Sequence, residues 1–152
     1  MGRYTSLLLY LPVLAVVGWM ATRYQAALGL FLIAHGLVHI LYVVPEPAQE
    51  PGATEWPFNL ESSWLLANLG EGMVRNIGIA LLVVTVVGFV VAGIALVADQ
   101  GWWLGTAGVS VAASMLLLAL FFHPLLVYGF AINAFMFSVA FLRWPATSFV
   151  GA

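Results

Sequence analysis

The sequence predicts an all-α fold, a polytopic integral membrane helix bundle, and three observations carry that expectation. The first is composition: the 152 residues are 64% hydrophobic and 7% charged, with a mean hydropathy of +1.09, where a soluble domain is about half apolar and about a quarter charged. A soluble domain of about 150 residues still exposes roughly 30% of its unfolded-chain surface, more than ten charged side chains can cover. The second is that apolar runs of bilayer length recur along the chain. The third is that arginine and aromatic residues gather where those runs end.

A transmembrane helix needs about 20 mostly apolar residues. Five segments meet or approach this: Ser6 to Ala21, Ala26 to Val44, Met73 to Ala98, Trp102 to Phe122 and Leu125 to Leu142. The first is the shortest and follows Met1, Gly2 and Arg3, so it also fits the hydrophobic region of a signal peptide. Pro12 and Trp19 favour a retained span. Arg3, Arg23, Arg75 and Arg143 all fall at span edges. Trp19, Tyr24, Tyr42, Trp102, Trp103 and Trp144 lie near span ends too, where a ring keeps its polar tip at the headgroups. Spans four and five are separated only by His123 and Pro124. As one helix, the stretch from Trp102 to Trp144 would be about 65 Å long, twice the hydrocarbon thickness, so a tight hairpin is expected there.

One polar segment interrupts the single transmembrane domain, at residues 45–72. It holds four of the seven prolines and five of the six acids. Up to Pro57 it reads as an extended or turn-rich loop. From Asn59 to Leu69, the residues Leu60, Trp64, Leu65 and Leu69 stand at helical spacing, which fits a short amphipathic helix on the membrane surface or capping the bundle; an ordinary structured loop is the equal alternative. The arginines divide equally between the two sides of a five-span topology and leave orientation undecided; the acidic loop is placed outside the cytoplasm. The compact single domain points to the cytoplasmic membrane of a prokaryote.

Charge and cysteine content remove several functions. Four arginines, no lysine and a net charge of −2 supply no basic patch for nucleic acid. The chain has no cysteine, which excludes disulfides, thiolate metal sites and thiol catalysis. No GxSxG nucleophile motif and no glycine-rich phosphate loop is present.

The chemistry that remains centres on IAHGLVHIL, residues 33–41. Histidines four apart on a helix share a face, so His35 and His39 point the same way, and polar groups at bilayer depth turn toward the bundle interior. Thr85, Ser110, Ser114 and Asn133 fall at similar depth on spans three, four and five. The plain account of this layer is hydrogen bonding between helices. A second account is a path for a small solute or a proton, since neutral imidazole relays protons. A third is a metal centre, because His35, His39 and His123 together could hold zinc with one open position. The metalloprotease form of that motif requires Glu where Gly36 stands. A fourth is haem: His35 and His39 share a face and cannot ligate opposite sides of one iron, whereas His39 with His123 could. Gly88 with Ala92, Gly101 with Gly105, and Gly129 with Asn133 are compact pairs one turn apart, expected at helix contacts.

The segment from Arg23 through Leu28, Gly29 and Gly36 to His39 resembles the first span of the DoxX-like small bacterial membrane proteins, which begin with an Arg, a Leu-Gly pair and a later Gly followed by a basic residue. The resemblance stops there. A further span precedes it and the acidic loop follows, so no function is carried over.

The leading expectation is a non-enzymatic multi-pass membrane protein that handles a small solute or proton, or serves as an accessory subunit of a membrane complex. Its expected partners are lipid and a second copy of itself or other membrane subunits. The alternative is a zinc- or haem-dependent membrane enzyme built on His35, His39 and His123.

Overall fold

In the computed structural model, residues 24–48 and 55–142 are described. The expected span at 6–21 lies outside them, as do Arg3, Arg23 and Arg143. Among the described residues the regular structure is entirely helical. Helix α1 covers Gln25–Val38 and tightens into a 3-10 turn at His39–Val43. After the polar segment come α2, Glu71–Val97, and α3, Trp103–Leu120. A 3-10 turn at Pro124–Leu126 then leads into α4, Val127–Phe141. Three stretches, Gln25–Val43, α2 and α3, are long and apolar enough to cross a membrane. The fifth expected span is helical where the sequence placed it, but α4 has only 15 residues, below the roughly 17 to 25 of a spanning helix. Among the described residues, helices of spanning length therefore stand at the second, third and fourth of the expected spans.

Leucine, valine and alanine dominate these helices on every side, so each presents apolar residues both to its neighbours and outward. Helix α2 shows this plainly: Leu82, Phe89 and Leu96 are buried while Val83, Val87 and Ile94 are more than half exposed. An apolar exterior of this kind is what a lipid solvent leaves in place, because burial there is not driven by water.

Close approach fixes the α1–α2 crossing. A Cβ built on Gly29 would lie 2.8 Å from the carbonyl oxygen of Gly93, and one on Gly93 would lie 2.5 Å from the carbonyl oxygen of Gly29. The two backbones meet with no room for a side chain. The small pairs expected from sequence divide. Gly88 sits against Ser110, Ala92 is fully buried, and a Cβ on Gly129 would lie 3.0 Å from Leu118. Gly101 and Gly105 meet nothing, because that side of the turn and of α3 faces outward.

The connections follow the local chemistry. Between α2 and α3, Asp99 takes the left-handed conformation at φ 56°. That lets the Gln100 amide reach back to the Ala95 carbonyl at 2.8 Å, a helix-ending turn. Gln25 then ties the start of α1 to this corner, its Nε2 donating to the Leu96 carbonyl at 2.6 Å and to Asp99 Oδ1 at 3.2 Å. Between α3 and α4 the chain extends at His123 and Pro124 opens the next turn. With Leu118 against Gly129, the expected hairpin forms.

The amphipathic helix expected at 59–69 does not form; bends and turns occupy that stretch. A local side-chain bond and two tertiary anchors hold the segment instead. The Asn59 side chain accepts from the Glu61 amide at 2.6 Å. The Ser63 hydroxyl donates to the Leu120 carbonyl at 2.6 Å, and the Trp64 indole donates to the Ala119 carbonyl at 2.8 Å. Those two carbonyls belong to the last turn of α3, where a helix leaves its acceptors without partners. The segment is thus anchored by side chains over the end of α3.

Candidate functional site: a buried polar layer

Two apolar clusters fill the bundle, and the polar residues lie between them. One cluster runs through Leu28 and Leu32, Phe89 to Leu96, Trp103 to Val111, and Met136 with Val139. The other includes Tyr42, Val74, Leu82, Leu117 to Phe121 and Leu126. Along every helix the intervening turn carries a polar position, His35 and His39, Thr85, Ser114 and Asn133, while Ser110 lies one turn earlier on α3 among the first cluster.

Four of these six form a closed circuit. His39 Nδ1 lies 2.9 Å from the His35 carbonyl oxygen, and His39 Nε2 lies 2.8 Å from Ser114 Oγ. Asn133 Nδ2 donates to Ser114 Oγ at 2.8 Å, while Asn133 Oδ1 lies 3.1 Å from His35 Nε2. The carbonyl can only accept, and this assigns every hydrogen in turn. His39 must donate from Nδ1, so a neutral His39 accepts at Nε2. Ser114 therefore gives its hydroxyl hydrogen to His39 and accepts from the Asn133 amide. The amide oxygen is left facing His35, whose Nε2–H donates to it. Each of the four contacts then holds one hydrogen with both imidazoles neutral.

The circuit joins three helices and rests on the fourth. Phe89 of α2, itself fully buried, places its ring 5.0 Å from that of His35, edge to face, and 6.3 Å from that of His39. The His35 and His39 rings stand edge to face at 5.0 Å. Gly36 makes this possible: a Cβ there would fall 2.7 Å from the Phe89 Cβ. In the sequence Gly36 is marked only by the absent metalloprotease Glu and by the DoxX-like spacing, and Phe89 by nothing, since a lone Phe in an apolar helix gives no signal of the ring it touches.

The other expected residues are placed differently. Ser110 is buried but donates to the Thr106 carbonyl one turn back at 2.8 Å, within its own helix. The Thr85 hydroxyl is fully buried with no hydrogen-bond partner among the described residues. His123 does not come to the pair. Its Nδ1 accepts the Leu125 amide at 3.2 Å and caps its own turn. Among the described residues no group of three His, Cys, Asp or Glu side chains is placed to share a metal ion, so the three-histidine arrangement is not assembled. In the circuit both Nε2 atoms and His39 Nδ1 are committed. Of the four ring nitrogens of His35 and His39, His35 Nδ1 alone lies outside it, and a metal or haem iron would have to break the circuit to gain a second from this pair.

Comparison with protein families, with curated proteins and with solved structures finds no match to this chain.

Proposed function

We propose that the chain is a non-enzymatic, multi-pass membrane component that acts as an accessory subunit of a membrane complex, with its buried histidines serving as a fastener between helices. The observation that supports this reading is the closure of the circuit His35–Asn133–Ser114–His39. A proton relay needs groups that can each take a proton on one side and release one on the other. Here the series ends on a backbone carbonyl, which has no hydrogen to give, and passes through an amide, which does not exchange its proton readily. The circuit therefore holds still and does not conduct. Zinc or haem chemistry on His35, His39 and His123 is the alternative, and it would require these residues to leave their present partners.

Reconstitution tests the proposal. Purified protein in vesicles containing a pH-sensitive dye should leak protons no faster than protein-free vesicles, and His35→Ala with His39→Ala should lower the melting temperature in detergent. In mild detergent extracts of its own membranes the chain should migrate with a stoichiometric second subunit. Protein-dependent flux that the double substitution abolishes without any loss of thermal stability would overturn the reading in favour of transport. A Soret band or stoichiometric zinc in the purified protein would overturn it in favour of the enzyme.

Solute handling retains one observation of its own, the Thr85 hydroxyl buried without a partner in the same layer. Thr85→Val tests it: on the fastener reading the replacement keeps shape, removes an unpaired polar group and leaves stability equal or higher.

A further inference from the structure

Contacts between elements set two heights along α2. Near its start, a Cβ on Gly78 would lie 2.8 Å from the Phe121 ring and 2.9 Å from Leu60, so this turn is level with the end of α3 and with the segment 59–69. Near its end, the Leu96 carbonyl and Asp99 take the Gln25 amide of α1, beside the turn that opens α3. From Gly78 to Leu96 the helix rises about 27 Å, close to the roughly 30 Å of a hydrocarbon core. The first two turns of α2, where Arg75 and Asn76 are exposed, stand beyond that thickness.

Among the described residues the exposed tyrosine and tryptophan side chains fall at these two heights. Tyr24 and Trp102, 67% and 54% exposed, mark the second, and Trp64, 68% exposed, marks the first. Tyr42 and Trp103, expected at the same borders, are buried. An indole at a membrane border usually turns its N–H to headgroups or water. That of Trp64 donates to the Ala119 carbonyl, so the exposed part of the ring is apolar. Leu65 and Leu69 extend this surface, and Leu116 on α3 and Phe122 just past its end are exposed at the same border. The polar side chains of the segment turn elsewhere: Glu61 and Ser62 line a cavity of about 510 Å³ with Glu71 and Arg75. The segment has a wet side and an oily side without being a helix.

We infer that residues 60–69 form an interfacial strap, with Trp64, Leu65 and Leu69 resting in the boundary between lipid headgroups and acyl chains. A helix that ends at the hydrocarbon edge leaves carbonyls that lipid cannot satisfy. Ser63 and Trp64 supply donors to two of them, and lipid covers the ring that carries one of those donors. Lipid is the occupant because the patch lies at the height of the border and continues the apolar flank of α3. The inference rests on the chain spanning a bilayer and is independent of the accessory role proposed above.

Single cysteines test it, since the chain has none of its own. Leu65→Cys, Leu69→Cys, Ser62→Cys and Val87→Cys, all at exposed positions, each carry a nitroxide in the full chain reconstituted into phosphatidylcholine vesicles. Electron paramagnetic resonance reads the accessibility of each label to oxygen, which concentrates in lipid, and to a nickel chelate, which stays in water. The ratio of oxygen to nickel accessibility should be highest at 87, in the middle of α2, lowest at 62, and clearly raised over 62 at both 65 and 69. Ratios at 65 and 69 no higher than at 62, with a high ratio at 87, overturn the strap and leave the membrane reading standing. Low accessibility to both reagents at 65 and 69 also overturns it, by assigning the patch to contact between proteins. A ratio at 87 as low as at 62 overturns the membrane reading itself.

Discussion

At the residue scale, the informative side chain is Ser114, because it serves two partners at once. Its hydroxyl gives a hydrogen to His39 and takes one from Asn133, so Ser114→Ala breaks two bonds and leaves two buried groups unpaired. Interhelical hydrogen bonds in membrane bundles average only about 0.6 kcal/mol, but orphaned buried groups add to that. The expected loss is about 1 to 3 kcal/mol, visible as a lower melting temperature in detergent. Asn133→Leu should also destabilise, and the double variant should lose less than the two single losses added together, since the Ser114–Asn133 bond is then counted only once. An unaltered melting temperature in Ser114→Ala would mean that the circuit contributes no net stability.

At the element scale, the α1–α2 crossing sets how near the histidines come to Phe89. Gly29 and Gly93 place backbone against backbone, so Gly93→Val forces the helices apart and should cost about 1 to 3 kcal/mol, with lower yield of folded protein. Gly105→Ala is the matched control. It meets nothing in the structure, and alanine is the better helix former, so stability should hold or rise by up to about 1 kcal/mol. The segment 59–69 carries a second lesson at this scale. Its apolar spacing fits a helix, yet Ser63 and Trp64 bond to the end of α3. Ser63→Ala should cost about 1 kcal/mol by freeing the buried Leu120 carbonyl; if a melting curve shows no loss, the cap is not what holds the segment.

At the scale of the whole molecule, apolar residues dominate both the interior and the outer surface. Large side chains such as Leu30, Val38, Val83, Ile94, Val109 and Phe137 are exposed, and on a soluble monomer contiguous apolar surface rarely exceeds a few hundred square ångströms. The chain should therefore sediment with membranes, resist extraction by high salt and dissolve only with detergent. Recovery in the supernatant after salt treatment alone would contradict a lipid-exposed bundle. The tied arginine count leaves the side of the acidic loop to experiment, and protease protection of closed vesicles would read it directly.

Much of the architecture was legible from periodicity-free apolar length alone. The boundaries of Gln25–Val43, α2 and α3 fall within a few residues of the expected spans, because a lipid-covered helix needs only continuous hydrophobicity. That His35, His39, Ser114 and Asn133 lie level with one another was legible for the same reason: rise per residue turns position along a helix into height. What the sequence determined by itself was thus a set of apolar helices with polar side chains at one level. Which of those side chains meet was decided only in three dimensions. His35 and His39 reach Ser114 and Asn133 across 75 and 98 residues of chain, while Ser110 turns to its own helix and His123 caps its own turn. The reason is physical: length and hydropathy fix height along a helix, whereas partnership depends on rotation about its axis, and that is set by where the backbones can touch, at Gly29, Gly93 and Gly36.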